Sequence, residues 1–181
     1  MNLPNKLTIL RILLVPVFIA CFYLDSVTKH WHYLAAFVMF VASMTDVIDG
    51  HIARKYGLVT NFGKLIDPIA DKLLYCSAFI MLTGHGMLPA IFTVIFVGRE
   101  FIISGFRLVA SNQGTVIPAN WLGKAKSAFQ CIGIIAMLLG NPVFSLIGVR
   151  FDMIAMYAAL VFTIWSCIDY IRVHKGAVNL S

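Results

Sequence analysis

Six apolar runs, each about 17–25 residues long, constrain this 181-residue chain more than any other feature. They cover roughly 7–24, 33–53, 66–84, 88–108, 126–147 and 151–172. Such runs cross a bilayer as helices, because a backbone without water around it must satisfy its own N–H and C=O groups. Composition agrees. The chain is 60% hydrophobic and 12% charged, whereas a soluble domain is about a quarter charged. No repeat, low-complexity tract or long polar stretch marks a second unit. The expected fold is all-α and integral to the membrane, with six transmembrane helices in one domain over residues 1–181. The first run resembles a signal peptide, and the stretch ending FIAC at Cys21 faintly suggests lipoprotein cleavage. Arg11 interrupts that run and five more spans follow, so it reads as a retained first span.

The basic residues give an orientation. With the N-terminus in the cytoplasm, Lys6, Arg11, Arg54, Lys55, Lys64, Lys72, Arg107, Lys124, Lys126, Arg172 and Lys175 fall on the inner side. The outer side receives Lys29 and Arg150, and Arg99 lies within the fourth span. Both termini are therefore expected in the cytoplasm of a multi-pass protein of the cell membrane. The net charge of +6 becomes a property of its inner face, suited to anionic headgroups and phosphorylated substrates. No nucleic-acid partner is expected. Cys21, Cys76, Cys131 and Cys167 lie singly in apolar spans and read as small buried side chains. His30 and His32 are too few to make a metal site.

Against this background the stretch DVIDGHIARKYGLVTNFGKLIDPIAD (46–71) stands out. It holds Asp46, Asp49, Asp67 and Asp71, four of the eight acidic residues in the chain. Asp46 and Asp49 close the second span, and Asp67 and Asp71 open the third. Spacings of three and four place each pair on one helix face. Two antiparallel helices joined by a short loop can bring the pairs to one point. A carboxylate near the membrane centre costs about 2.5–3.5 kcal/mol, less toward the interface. Such a cluster calls for protons or cations, and all-oxygen ligands favour Mg²⁺ or Mn²⁺ over zinc. Four carboxylates carry charge enough for two such ions. Gly50 and Ala53 continue the face of the first pair, and Gly63 precedes Asp67 by one turn. Glycine in a helix costs about 1 kcal/mol relative to Ala, so the gap beside the acids reads as a berth for a flat base or a diphosphate. Arg54 stands at its mouth, suited to phosphate oxygens.

The pattern Asp46-x2-Asp49-Gly50-x2-Ala53-Arg54-x8-Gly63-x3-Asp67-x3-Asp71 resembles the signature of the CDP-alcohol phosphotransferases at all eight fixed positions. The segments NLPNKLTILR (2–11), GREFIISGFR (98–107) and LGKAKSAFQ (122–130) extend the resemblance to the bacterial branch that uses glycerol 3-phosphate. Ser127 stands where that branch usually has Thr; both carry a hydroxyl. The resemblance implies six spans, a homodimer and two divalent cations, Mg²⁺ or Mn²⁺. It implies phosphatidyl transfer from CDP-diacylglycerol to glycerol 3-phosphate, with CMP leaving. Asp46 and Asp67 would bridge both ions, Asp49 would bind one, and Asp71 would lie beside the other as general base. Gly50, Arg54 and Thr60, with Asn5 and Thr8, resemble contacts to the cytidine diphosphate.

The acceptor's phosphate needs its own site. Ser104 and Arg107 on the fourth span, with Lys124 and Lys126 opening the fifth, are the candidates; the lysines also read as ordinary inner-face flanks. Arg99 and Glu100, deep in the fourth span, read as interhelical partners or a pocket wall. Two other functions fit some of this pattern: the same chemistry on inositol phosphate, phosphatidylglycerol or serine, and an ion or proton transporter. A transporter spreads its acids along a path, whereas these lie at one depth.

Overall fold

The computed structural model describes residues 2–24, 30–56, 60–112, 121–141 and 148–174, excluding the side chains at 51, 53, 54, 61, 62, 64, 65 and 112. Within these residues the chain forms six helices and no strand: α1 (Leu3–Tyr23), α2 (Trp31–Lys55), α3 (Asn61–Gly84), α4 (Ala90–Asn112), α5 (Trp121–Leu139) and α6 (Phe151–His174). Four of them, α1, α2, α5 and α6, are long and apolar enough to cross a membrane. Helices α3 and α4 have 24 and 23 residues. Charged residues lie within them, Asp67, Asp71 and Lys72 on α3 and Arg99, Glu100 and Arg107 on α4.

Local chemistry sets several helix ends. A proline in the first turn starts α1 where its missing N–H costs nothing. Thr60 has extended backbone and its hydroxyl accepts from the Gly63 N–H at 3.0 Å, an N-cap for α3. The largest departure from expectation concerns the fifth run, read as 126–147. Helix α5 begins at Trp121 and ends at Leu139, because Gly140 and Asn141 turn to positive φ (70° and 54°). The carbonyl of the Asn141 side chain then accepts from the Asp152 N–H at 3.1 Å, tying the end of α5 to the start of α6.

Packing leaves the bundle apolar on both its inside and its outside. Helix α1 packs on α2 and α3, α5 on α6 and α2, and α4 on α3 and α6. Val15, Phe18 and Phe22 of α1 meet a common core with Met39, Leu74, Phe79, Phe96 and Met156. A Cβ at Gly133 would come within 3.1 Å of the Met156 sulfur, so this glycine lets α6 approach α5 closely. Facing outward are Leu13, Phe37, Val47, Ile80, Val94, Phe101, Leu108 and Val161, all exposed. Exposed apolar side chains on every helix surface suit a lipid solvent. The polar residues collect toward one end: the start of α1, the end of α2, the start of α3, the second half of α4, the start of α5 and the end of α6.

Candidate active site

Three polar residues on the otherwise apolar α1 organise this end. Asn5, Thr8 and Arg11 are spaced by three, so they form one stripe over the first two turns, and all three are buried. Each meets a different part of the acidic stretch. The Thr60 hydroxyl donates to Asn5 Oδ1 at 3.0 Å, at the N-cap of α3. Thr8 donates from its hydroxyl to Asp67 Oδ1. Arg11, with its side chain 0% exposed, reaches Asp46 Oδ1 at 2.7 Å through Nη1 and Asp49 Oδ2 at 2.5 Å through Nη2. Helix α1 therefore reads the α2–α3 hairpin residue by residue.

Position in the hairpin decides how each acid is exposed. The Asp49 side chain is 4% exposed and that of Asp46 48% exposed, so one acid of the pair is enclosed and the other opens outward. Asp67 and Asp71 are half-buried on the first turns of α3. The charges of Asp46, Arg11, Lys126 and Glu100 all reach Asp71, so acidic and basic residues share one belt. Gly63 has a different neighbour from the expected berth for a ligand. A Cβ there would lie 3.0 Å from Asn5 Oδ1, 3.2 Å from Thr60 Oγ1 and 3.7 Å from Asp67 Oδ2. The glycine admits the start of α1.

The four carboxylates offer the hard oxygen donors that Mg²⁺ or Mn²⁺ prefers. Among the described residues, no three His, Cys, Asp or Glu side chains form a group able to hold a metal ion. The acids are instead compensated from α1, two by the Arg11 cation and one by the Thr8 hydroxyl. Donor chemistry thus fits a divalent cation, and a guanidinium already balances part of the charge.

Across the belt, the four residues proposed for an acceptor phosphate have separate surroundings. Ser104 donates to the Glu100 carbonyl of its own helix at 2.5 Å. Arg107 donates from Nε to the Tyr170 hydroxyl at 3.0 Å, with its guanidinium 5.2 Å from that ring's centre. Lys126 is buried, and its ammonium bonds to Glu100. Lys124 is exposed on the first turn of α5. The expected interhelical role of Arg99 and Glu100 is what the structure shows. Arg99 reaches Ser166 of α6 at 3.2 Å and Glu100 at 3.4 Å, while Glu100 carries the bond to α5. Gly50 follows Asp49 on α2. The side chain of Arg54 lies outside the described residues.

Sequence reasoning missed the role of Arg11, which it read as an inner-face charge. It missed Tyr170 and the Glu100–Lys126 pair as well. The signal for Arg11 was present, since Asn5-x2-Thr8-x2-Arg11 is a polar stripe on an apolar helix.

A family model described as CDP-alcohol phosphatidyltransferase matches residues 1–165. The chain is 39% identical to the CDP-diacylglycerol--glycerol-3-phosphate 3-phosphatidyltransferase of Bacillus subtilis (strain 168), over 99% of this chain and 98% of that one. It is 33% identical to the protein of the same name from Haemophilus influenzae, over 98% and 95%. It is also similar to a probable phosphatidylglycerophosphate synthase of Mycobacterium tuberculosis, 39% identical over 94% of this chain and 80% of the relative. With Asp46, Asp49 and Asp67 each paired with a side chain of α1 and a match that runs through five of the six helices and into the sixth, the chain belongs to the CDP-alcohol phosphatidyltransferase family.

Proposed function

We propose that this protein is a membrane enzyme that transfers a phosphatidyl group from CDP-diacylglycerol to glycerol 3-phosphate, giving phosphatidylglycerophosphate and CMP. The observation that carries the reading is similarity along nearly the whole length of relatives that bear this activity in their names. The charged belt supports it, with carboxylates on the α1–α3 side and cationic side chains on α4 and α5. Asp46, Asp49, Asp67 and Asp71 would hold two divalent cations, Mg²⁺ or Mn²⁺, which when bound supply Lewis-acid stabilisation to a diphosphate.

The remaining work belongs to the chain's own residues. Asp71 accepts the proton of the glycerol 3-phosphate hydroxyl as that oxygen bonds to the lipid-side phosphorus, while the bond to the CMP oxygen breaks. A free carboxylate is a weak base for an alcohol, so its task is proton acceptance at a site already biased toward the alkoxide. Gly50, Arg54 and Thr60, with Asn5 and Thr8, contact the cytidine diphosphate. Ser104, Arg107, Lys124 and Lys126 receive the acceptor's phosphate, which draws Lys126 from Glu100. The single domain crosses the cell membrane six times as part of a homodimer, with both termini and the active site on the cytoplasmic side. The positive-inside count favours that sidedness.

The test is CMP release by purified protein given CDP-diacylglycerol, Mn²⁺ or Mg²⁺, and a panel of alcohols. Glycerol 3-phosphate should be the preferred acceptor. Preference for inositol phosphate, phosphatidylglycerol or serine would reassign the acceptor, and no CMP release with any alcohol would overturn the reaction.

A further inference from the structure

We propose that Arg11 is a positioning residue for the carboxylate pair Asp46 and Asp49, gripping one oxygen of each from the α1 side so that the pair stays turned toward a divalent cation. The inference rests on the metal reading above and adds to it a residue from outside the signature. Asp46 and Asp49 are one turn apart on α2, and the two terminal nitrogens of one guanidinium reach both, Nη2 as a hydrogen bond to Asp49 at 2.5 Å and Nη1 as an ion pair with Asp46 at 2.7 Å. A planar fork can hold two carboxylates at once; an ammonium is a point charge and cannot fix both orientations. Asp46 needs such a hold, because its side chain is 48% exposed and packing alone leaves it room to turn.

Arg11 is itself immobilised. Its side chain is 0% exposed, Nη2 donates to Asp49, and Nε and Nη1 are enclosed with no hydrogen-bond partner among the described residues, so Nη1 meets Asp46 as an ion pair only. Three and six residues earlier on the same face, Thr8 bonds to Asp67 and Asn5 to Thr60. These contacts fix the rotation and depth of α1 against the hairpin. The guanidinium has no path to water and stays beside the acids when a cation arrives. It acts as a fixed support and is not expelled by the ion.

Electrostatics alone predicts the opposite effect, which makes the inference testable. A fixed positive charge next to a metal site repels the ion, so removing it should tighten metal binding. Loss of an orienting partner behind a metal ligand weakens binding, typically by about ten- to a hundredfold. Mn²⁺ alone, without lipid or alcohol, is titrated calorimetrically into full-length, detergent-purified wild type, Arg11→Gln and Arg11→Lys. Arg11→Gln should bind Mn²⁺ about ten- to a hundredfold more weakly, and Arg11→Lys should fall between it and wild type. Unchanged or tighter Mn²⁺ binding by Arg11→Gln, with wild type binding normally, would overturn the positioning role and leave the metal reading intact. Wild type that binds Mn²⁺ no better than an Asp46→Asn/Asp49→Asn control would overturn both. If Arg11→Gln does not purify as a folded species, Arg11→Lys decides alone: it must still bind several-fold more weakly than wild type.

Discussion

The α1–α3 half and the α4–α6 half both bury charge at the same end of the bundle, in opposite proportions. On the first side Asp46 and Asp49 share one guanidinium, that of Arg11, and Asp67 takes the Thr8 hydroxyl. On the second, Arg99 and Lys126 share the single carboxylate of Glu100, and Arg107 rests on a neutral tyrosine. The ion pairs are mirror images, two carboxylates to one cation under α1 and two cations to one carboxylate around α4. The construction differs too. The acids come from one hairpin and are braced by one stripe of a third helix, whereas the cations are held by bonds among α4, α5 and α6. The proposed two-substrate transfer would use this asymmetry, with one side complementary to cations that grip a diphosphate and the other to the anionic acceptor.

Removing the cations from the first side should have the largest effect. Chelation by EDTA should abolish CMP release, and Mg²⁺ or Mn²⁺ should restore it; full activity after exhaustive chelation would break the proposed contrast. Asp67→Asn should cost activity by orders of magnitude. The protein should remain folded, because the Thr8 hydroxyl can donate to an amide oxygen as it does to the carboxylate.

On the second side the leading effect should be on stability. Glu100→Gln leaves the buried ammonium of Lys126 without its carboxylate, and breaking a buried pair from one end costs about 3–5 kcal/mol. Lys126→Met in the Glu100→Gln background removes the stranded charge, so the double variant should unfold at a higher temperature than Glu100→Gln alone. Additive losses would show that the two side chains are not energetically coupled.

Arg107 separates binding from support. If it meets the acceptor's phosphate, Arg107→Ala removes a charge-assisted contact worth about 1.5–3 kcal/mol. The KM for glycerol 3-phosphate should rise about ten- to a hundredfold, with a much smaller change for CDP-diacylglycerol. Tyr170→Phe deletes only the hydroxyl that accepts from Nε and should cost about 1 kcal/mol of stability. An unchanged acceptor KM in Arg107→Ala would assign this arginine to holding α4 against α6.

The same contrast explains what could be read from the sequence. Asp46, Asp49, Asp67 and Asp71 are separated by small fixed intervals across one short connection, so helix periodicity alone places each pair on a face. Six helices were equally legible from apolar run length, apart from α5, where Gly140 and Asn141 end the helix inside the run read as 126–147. The second side was not legible in that way. Lys126 and Glu100 are 26 positions apart, Arg107 and Tyr170 63, and Arg99 and Ser166 67. Nothing local pairs them; only the tertiary arrangement of α4, α5 and α6 does. Arg11 falls between these cases. Its stripe was visible, but its partners lie on another helix, so the sequence suggested a charge on the inner face and did not reveal its role at the acids.

The smallest effect tests how α1 is seated. Gly63→Ala replaces a poor helix former with the best and should gain about 1 kcal/mol if space allowed. Space does not allow it, because the new methyl would meet Asn5 Oδ1 at 3.0 Å and Thr60 Oγ1 at 3.2 Å. Asn5 cannot simply swing away, since its Oδ1 accepts the Thr60 hydroxyl that also caps α3. Overpacking of this kind costs about 1–3 kcal/mol, so Gly63→Ala should be neutral to mildly destabilising in thermal unfolding. In an Asn5→Ala background the tighter contact is gone and only that with Thr60 Oγ1 at 3.2 Å remains, so the same substitution should cost less than in wild type and shift toward stabilising. That shift requires Asn5 to lie over Gly63. If Gly63→Ala stabilises the wild-type protein outright, the start of α1 does not rest against the hairpin, and the bracing that distinguishes the acidic side from the basic one fails.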